Sequence, residues 1–156
     1  MRRLRGFTLI EMLVVLLIMS ILATAAVPLA RINQRRIKET ELRAALRTLR
    51  GAIDSYKQQW NTGHIEKKPD DTGYPPDLQS LVSGVVDVAD PKGRKIYFLR
   101  RIPRDPFVDP NLPAEQTWAL RSYDSPVGAP AAGRDVFDVT SAAPGTGLDG
   151  EPYRQW

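Results

Sequence analysis

Hydrophobic side chains fill the beginning of the chain almost without interruption. Residues 7–30 form a run of 24 positions that contains one charge, Glu11. As a helix rising ~1.5 Å per residue, such a run is ~36 Å long, which is enough to cross a hydrocarbon core of ~30 Å. The pattern therefore predicts a membrane-spanning helix over residues 7–30.

After residue 30 the apolar positions thin to a stripe that recurs every three or four residues. Its members are Leu42, Ala45, Leu46, Leu49, Ile53, Tyr56 and Trp60. This spacing places them on one face of a helix. Gly63 suits a left-handed helix end. We therefore predict an amphipathic continuation of the helix over residues 31–63, with one face packed on a domain.

Pro28 lies inside this helical pattern. Proline removes one backbone hydrogen bond and crowds the preceding turn, so we expect a kink or a loosened stretch near it. The alternative is that Pro28 only marks the end of the membrane span.

Residues 64–156 show the pattern of a small mixed domain. Asp77 precedes a short helical pattern that ends at Gly84, and residues 118–123 and 135–141 alternate like strands. The predicted fold class is α+β, with a long N-terminal helix packed on a small C-terminal domain that has a short antiparallel sheet.

Charge divides the chain into two parts. The net charge is +4 overall, but residues 1–60 carry +7 and residues 61–156 carry −3. Since the predicted domain is mildly acidic, we expect no nucleic-acid partner. We also find no nucleophile and base pair, zinc spacing or phosphate loop, so we expect no enzyme activity.

The beginning of the chain combines a basic head with a motif that a simple anchor does not need. After Arg2, Arg3 and Arg5 come Gly6, Phe7, Thr8, Leu9, Ile10 and Glu11. A cut after Gly6 would leave the apolar helix on the mature protein, unlike secretory cleavage. A carboxylate inside a membrane costs about 2.5–3.5 kcal/mol at central positions, so Glu11 needs a partner. A plain anchor with a stray interfacial Glu is the alternative.

These residues resemble the type IV pilin and type II secretion pseudopilin family. The resemblance implies a leader of residues 1–6, cut by a prepilin peptidase between Gly6 and Phe7, with methylation of the Phe7 amine. It implies that Glu11 pairs with the amine of a neighbouring subunit in a homo-oligomeric filament. Minor pseudopilins and an inner-membrane assembly platform are the implied partners. The N-terminus would be cytoplasmic and the C-terminal domain periplasmic, with one pass through the inner membrane.

The major pseudopilins of the G type are the leading interpretation. The chain has no Cys, so it lacks the disulfide that closes a loop in many pilins. The resemblance also implies a calcium site, for which Asp138, Ser141 and Asp149 are candidates, although one acidic residue of the family pattern is missing. The alternative is that these are ordinary turn residues without a metal.

Two other functions fit the same sequence. A type IV pilin or minor pilin, serving adhesion, motility or DNA uptake, would share the motif. A membrane-tethered binding protein would keep the anchor but would not depend on Glu11.

Overall fold

The computed structural model describes residues 6–126 and 128–156, without the side chains of residues 25–27. Its contacts divide the chain into two compact units, Met1–Ile37 and Lys38–Trp156. We call them the N-terminal unit and the globular unit. The three arginines predicted for the leader lie outside the described residues.

Helix α1, Leu9–Asn61, runs through the predicted membrane-spanning and amphipathic stretches. By length and composition it can cross a membrane: an 18-residue window has a mean hydropathy of 2.6, and none of that window is buried. The helix continues without interruption through Pro28. The kink expected there stays a prediction.

The globular unit is built on the apolar stripe of α1. Leu42 and Leu49 are fully buried, and Ile53 is 1% exposed, because the 3.6-residue period brings them to one face. The core that covers them also includes Leu78, Leu81, Trp118, Val136, Val139 and Tyr153. The prediction that this face packs on a domain is confirmed.

The predicted helix ends are also confirmed. Helix α1 stops at Asn61, and Gly63 follows with a φ of 83°. Helix α2, Leu78–Ser83, begins after Asp77, whose side chain accepts a hydrogen bond from the Ser80 N–H at 2.7 Å. Gly84 closes it with a φ of 75°, a conformation that costs glycine little.

Two small antiparallel sheets complete the unit. Strands β1 (Val85–Val86) and β2 (Lys95–Ile96) form one sheet, and β3 (Trp118–Arg121) and β4 (Asp138–Ser141) form the other. The β3 and β4 pair was predicted, and it buries Trp118 and Val139 as expected; Leu120 and Phe137 are half-buried. The β1 and β2 pair was not predicted, because two residues are too few to show an alternating pattern.

One buried carboxylate joins three loops around this sheet. Asp135 is 4% exposed and accepts hydrogen bonds from the Thr72 hydroxyl, the Ser122 hydroxyl at 2.9 Å and the Tyr123 N–H at 2.9 Å. Burial acts to raise the pKa of Asp135, but these donors and nearby Arg134 together outweigh it and lower the pKa below its ordinary value.

The lowered pKa of Asp135 gives stability a specific pH dependence. Its stabilising effect is complete above the unfolded pKa, ~3.9, and is lost as pH falls through the lower folded value. We expect Asp135→Asn to lower the free energy of unfolding at pH 7 by about 1–3 kcal/mol. Below about pH 4, the variant should lose less stability on acidification than the wild-type protein does. Urea unfolding of the full chain in detergent, followed by tryptophan fluorescence, measures both effects.

The matched control is Asp124→Asn, since the Asp124 side chain is 60% exposed and pairs with half-exposed Arg134. It should change neither quantity appreciably. Equal pH profiles for Asp135→Asn and the wild-type protein would contradict the assignment.

Candidate assembly interface and C-terminal clamp

The predicted processing motif lies at the exposed beginning of α1. Residues 6–8 precede the helix and are exposed. The Glu11 N–H donates to the Thr8 hydroxyl at 3.3 Å, and the Thr8 N–H donates to Glu11 Oε2 at 3.5 Å. This reciprocal pair is a capping box. It places the Glu11 carboxylate at the N-terminal end of the helix dipole, where negative charge is favoured.

The capping contact of Thr8 with Glu11 was not predicted. Its signal was present, because a Thr followed three residues later by Glu, before an apolar run, marks a helix N-terminus. The cap leaves the peptide bond between Gly6 and Phe7 outside the helix. Both residues are exposed.

The rest of the N-terminal unit presents apolar side chains to its surroundings. Phe7, Leu9 and Ile10 are 76%, 78% and 67% exposed, respectively. The polar groups within the span are satisfied locally: the Ser20 and Thr24 hydroxyls donate to carbonyls four residues earlier, at 2.7 and 2.8 Å. A surface of this kind is stable only against lipid or other apolar helices.

A second polar site, in the globular unit, holds the C-terminal segment on α1. Glu39 is 4% exposed and accepts hydrogen bonds from the Leu148 N–H at 2.8 Å and the Tyr153 hydroxyl at 3.0 Å. Arg43 pairs with Asp149 at 2.7 Å, and its guanidinium lies 4.1 Å from the ring centre of Trp156. We call these contacts and those of Arg50 the C-terminal clamp.

Arg50 connects the clamp to strand β4. It donates to Asp138 Oδ1 at 2.8 Å, the Val139 carbonyl at 3.0 Å and the Trp156 carbonyl oxygen at 2.7 Å. Because hydrogen bonds from charged donors contribute more than neutral ones, Arg50 supplies a large share of this attachment.

We therefore expect Arg50→Ala to lower the free energy of unfolding by about 2 kcal/mol and to expose the C-terminal segment to proteases. Thermal melting and limited proteolysis of the full chain in detergent measure these effects. Arg50 lines a surface cavity of about 310 Å³ at the C-terminal clamp. The control is Arg47→Ala, because Arg47 lines this cavity too and is exposed. Equal effects of the two substitutions would show that Arg50 has no special role.

Each of the three calcium candidates has a protein partner in this arrangement. Asp138 and Ser141 lie three residues apart on β4, so they are ~10 Å apart and face opposite sides of the sheet. The Ser141 hydroxyl donates to buried Asp105. Asp138 pairs with Arg50 and Asp149 with Arg43. In this arrangement each of the two carboxylates is paired with a guanidinium group, and calcium binding by these residues stays a prediction.

This arrangement predicts a fold that does not need calcium. We expect EDTA to leave the melting temperature of the full chain unchanged, since arginine supplies the positive charge that a cation would otherwise supply. Adding calcium after EDTA should have no effect either. A melting temperature that rises with calcium and returns with chelator would contradict this expectation and would support calcium binding as predicted from the sequence.

A capped and exposed apolar helix, followed by a small α+β unit, defines a pilin-like protein. Residues 1–27 match the family model described as the prokaryotic N-terminal methylation motif. The chain is 34% identical over 113 residues to the type II secretion system core protein G of Klebsiella pneumoniae, covering 69% of this chain and 71% of the relative. No solved structure gave a significant match.

The protein of the same name from Vibrio cholerae is 30% identical to this chain over 110 residues, and the one from Pseudomonas aeruginosa is 31% identical to it over 113 residues. The alignments cover 69% and 70% of this chain, and 68% and 72% of those relatives. The chain belongs to the type II secretion system core protein G family, which confirms the family predicted from the sequence.

Proposed function

We propose that this chain is a structural subunit of the periplasmic pseudopilus of a type II protein secretion system. The observation that carries the proposal is the exposed apolar helix with Glu11 at its capped beginning, in a chain that belongs to this family. Membership of the family indicates a structural protein, whose work is assembly.

The proposed processing begins at the bond between Gly6 and Phe7. A prepilin peptidase cuts this bond, removes residues 1–6 and methylates the new amine of Phe7. The exposure of both residues and the match to the methylation motif support this step. Cleavage creates an α-amine, which is largely cationic at neutral pH because its ordinary pKa is ~7.7–8.0.

That amine is the proposed partner of Glu11 on a neighbouring subunit. An isolated carboxylate among apolar helices is strongly unfavourable, whereas a paired one is tolerated. The exposed side chains of the N-terminal unit would then pack against those of its copies. Before assembly, the bilayer covers the same surface.

The proposed location follows from this mechanism. Because the peptidase acts at the cytoplasmic face, the N-terminus lies in the cytoplasm and the globular unit in the periplasm, with α1 crossing the inner membrane once. Minor pseudopilins and the inner-membrane assembly platform are the proposed partners besides further copies of this chain.

Deletion of the gene tests the proposal. The expected result is that exported proteins disappear from the medium and accumulate in the periplasm, and that the wild-type gene restores export while a gene encoding Glu11→Ala does not. Normal export together with loss of surface pili, adhesion or DNA uptake would show that the chain is a pilin instead.

A further inference from the structure

The globular unit has an open groove beside the loop that follows α1. The groove has a volume of about 680 Å³ and is lined by buried Tyr56 and Ile65 at its base. Val86 and Val88, on its wall, are 47% and 55% exposed. We call it the acidic groove, because Glu66, Asp70, Asp71 and Asp135 also line it, against two cations, Lys68 and Arg134.

The negative charge of the acidic groove is only partly balanced within the globular unit. Arg134 pairs with Asp124 at 2.9 Å, outside the groove. Exposed Glu66 and Asp70 make no ion pair within the part of the chain that the structure describes. These two carboxylates are available to a cationic partner.

Neighbouring lysines do not supply that partner. Lys57 and Lys67 lie over the Trp60 ring, with Nζ to ring-centre distances of 4.5 and 4.6 Å. Lys57 also donates to the Thr72 carbonyl. Consistent with a negative potential in the groove, the pKa of Tyr56 is raised by burial and by nearby Asp71 and Asp77.

A surface complementary in charge to the acidic groove lies at residues 29–38, which end one residue after the N-terminal unit. Residues 29–38, which we call the basic segment, contain four basic residues and no acidic one. They are Arg31, Arg35, Arg36 and Lys38. Leu29, Ile32 and Ile37 in the same segment are 70%, 45% and 52% exposed. Arg35 and Arg36 have interactions within the chain, and Lys38 Nζ lies 5.8 Å from the ring centre of Phe107. Exposed Arg31 is therefore the cation that the segment presents beside its apolar side chains, as the acidic groove presents carboxylates beside valines.

We propose that the acidic groove of one copy of this chain binds the basic segment of a second copy. The two surfaces are different patches of the same chain, so the contact is heterologous. A heterologous contact that does not close into a ring produces an open filament. This inference rests on the proposed function and adds to it the surface that orients each globular unit on its neighbour. Opposite charges would fix that orientation more than they would add affinity.

Cysteine cross-linking tests this contact, because the chain has no Cys of its own. One tagged full-length copy carries Ile32→Cys, and a second copy, with another tag, carries Val88→Cys. Oxidation of filaments assembled from both should give a disulfide-linked dimer that contains both tags. In the control, the second copy carries Leu112→Cys instead of Val88→Cys. Leu112 is 38% exposed and does not line the groove. The control should give little of the mixed dimer.

Charge reversal provides an independent measurement that needs no cysteine. We expect Glu66→Lys with Asp70→Lys to lower filament yield about tenfold, because like charges would then face each other. Adding Arg31→Glu to the same chain should restore much of the yield. Arg31→Glu alone should lower it.

The outcomes separate this inference from the proposed function. Normal filaments without the Ile32 to Val88 cross-link, and without an effect of the Glu66 and Asp70 reversals, would overturn the contact and leave the filament subunit intact. If Arg31→Glu instead reduced binding to vesicles containing anionic lipid, headgroups would be the partner of the basic segment. Failure of the wild-type chain to form any filament would contradict both proposals.

Discussion

Replacing Glu11 by Ala is expected to reduce filament assembly by about two orders of magnitude or more, while cleavage after Gly6 continues. The substitution leaves the amine of a neighbouring Phe7 without its carboxylate in an apolar surrounding. Removing one partner of a buried ion pair costs about 3–5 kcal/mol. Immunoblotting of filaments isolated from the periplasm measures assembly, and the mass of the membrane-bound protein measures cleavage.

The structure also provides a substitution that separates two roles of this side chain. Glu11 caps the helix through the Thr8 N–H as well as carrying charge. Gln can fill the same position of a capping box but is neutral. We therefore expect Glu11→Gln to keep the helix beginning and still fail to assemble.

Glu41→Ala serves as the control for loss of an exposed carboxylate on the same helix, and it should assemble normally. Normal filament yield from Glu11→Gln would show that the capping role is the important one. Normal yield and normal export with Glu11→Ala would favour a membrane-tethered binding protein over a filament subunit.

The second large effect is expected for Gly6→Leu. This substitution should block leader removal, so that the protein keeps residues 1–6, gains no methyl group and forms no filaments. A Cβ placed at Gly6 would meet no atom within 4 Å, so the fold does not oppose the larger side chain. A loss of processing would therefore report recognition by the peptidase.

Gly51→Leu is the matched control, since a Cβ at Gly51 also meets nothing within 4 Å and the position is exposed on α1. It should be processed like the wild-type protein. Intact-mass measurement of both variants shows whether residues 1–6 have been removed. A Gly6→Leu protein that still begins at Phe7 would show that the cut does not depend on this glycine.

Features with a local or periodic signal were predictable from the sequence. The stripe of α1 has a 3.6-residue period, so its buried members could be named in advance. The same holds for the ends of α1 and α2, since Gly63 and Gly84 favour left-handed backbone and Asp77 favours a helix N-terminus. The β3 and β4 pair was recognisable from its alternating side chains.

Long-range polar contacts could not be predicted in this way. Arg43 and Asp149 are 106 positions apart, and no periodic pattern connects them. Buried Asp105 likewise looks like an ordinary turn residue until Ser141 is seen to donate to it. The C-terminal clamp and this buried carboxylate therefore required the structure.

The calcium candidates lack a local signal of this kind. Residues three apart on a strand face opposite sides, so Asp138 and Ser141 were already a poor pair of ligands once β4 had been predicted. The residues predicted for leader cleavage and assembly, Gly6, Phe7 and Glu11, have a clearer signal because they belong to one contiguous motif, and their roles stay predictions. Thr8, in the same motif, carried a recognisable capping pattern that explains how Glu11 is held.

The N-terminus of the natural protein tests the central claim most directly. Mass spectrometry of the chain purified from its own membranes should show that it begins at Phe7 and is heavier than the unmodified sequence by one methyl group on the amine. A natural protein that still begins at Met1, with residues 1–6 in place, would contradict the account.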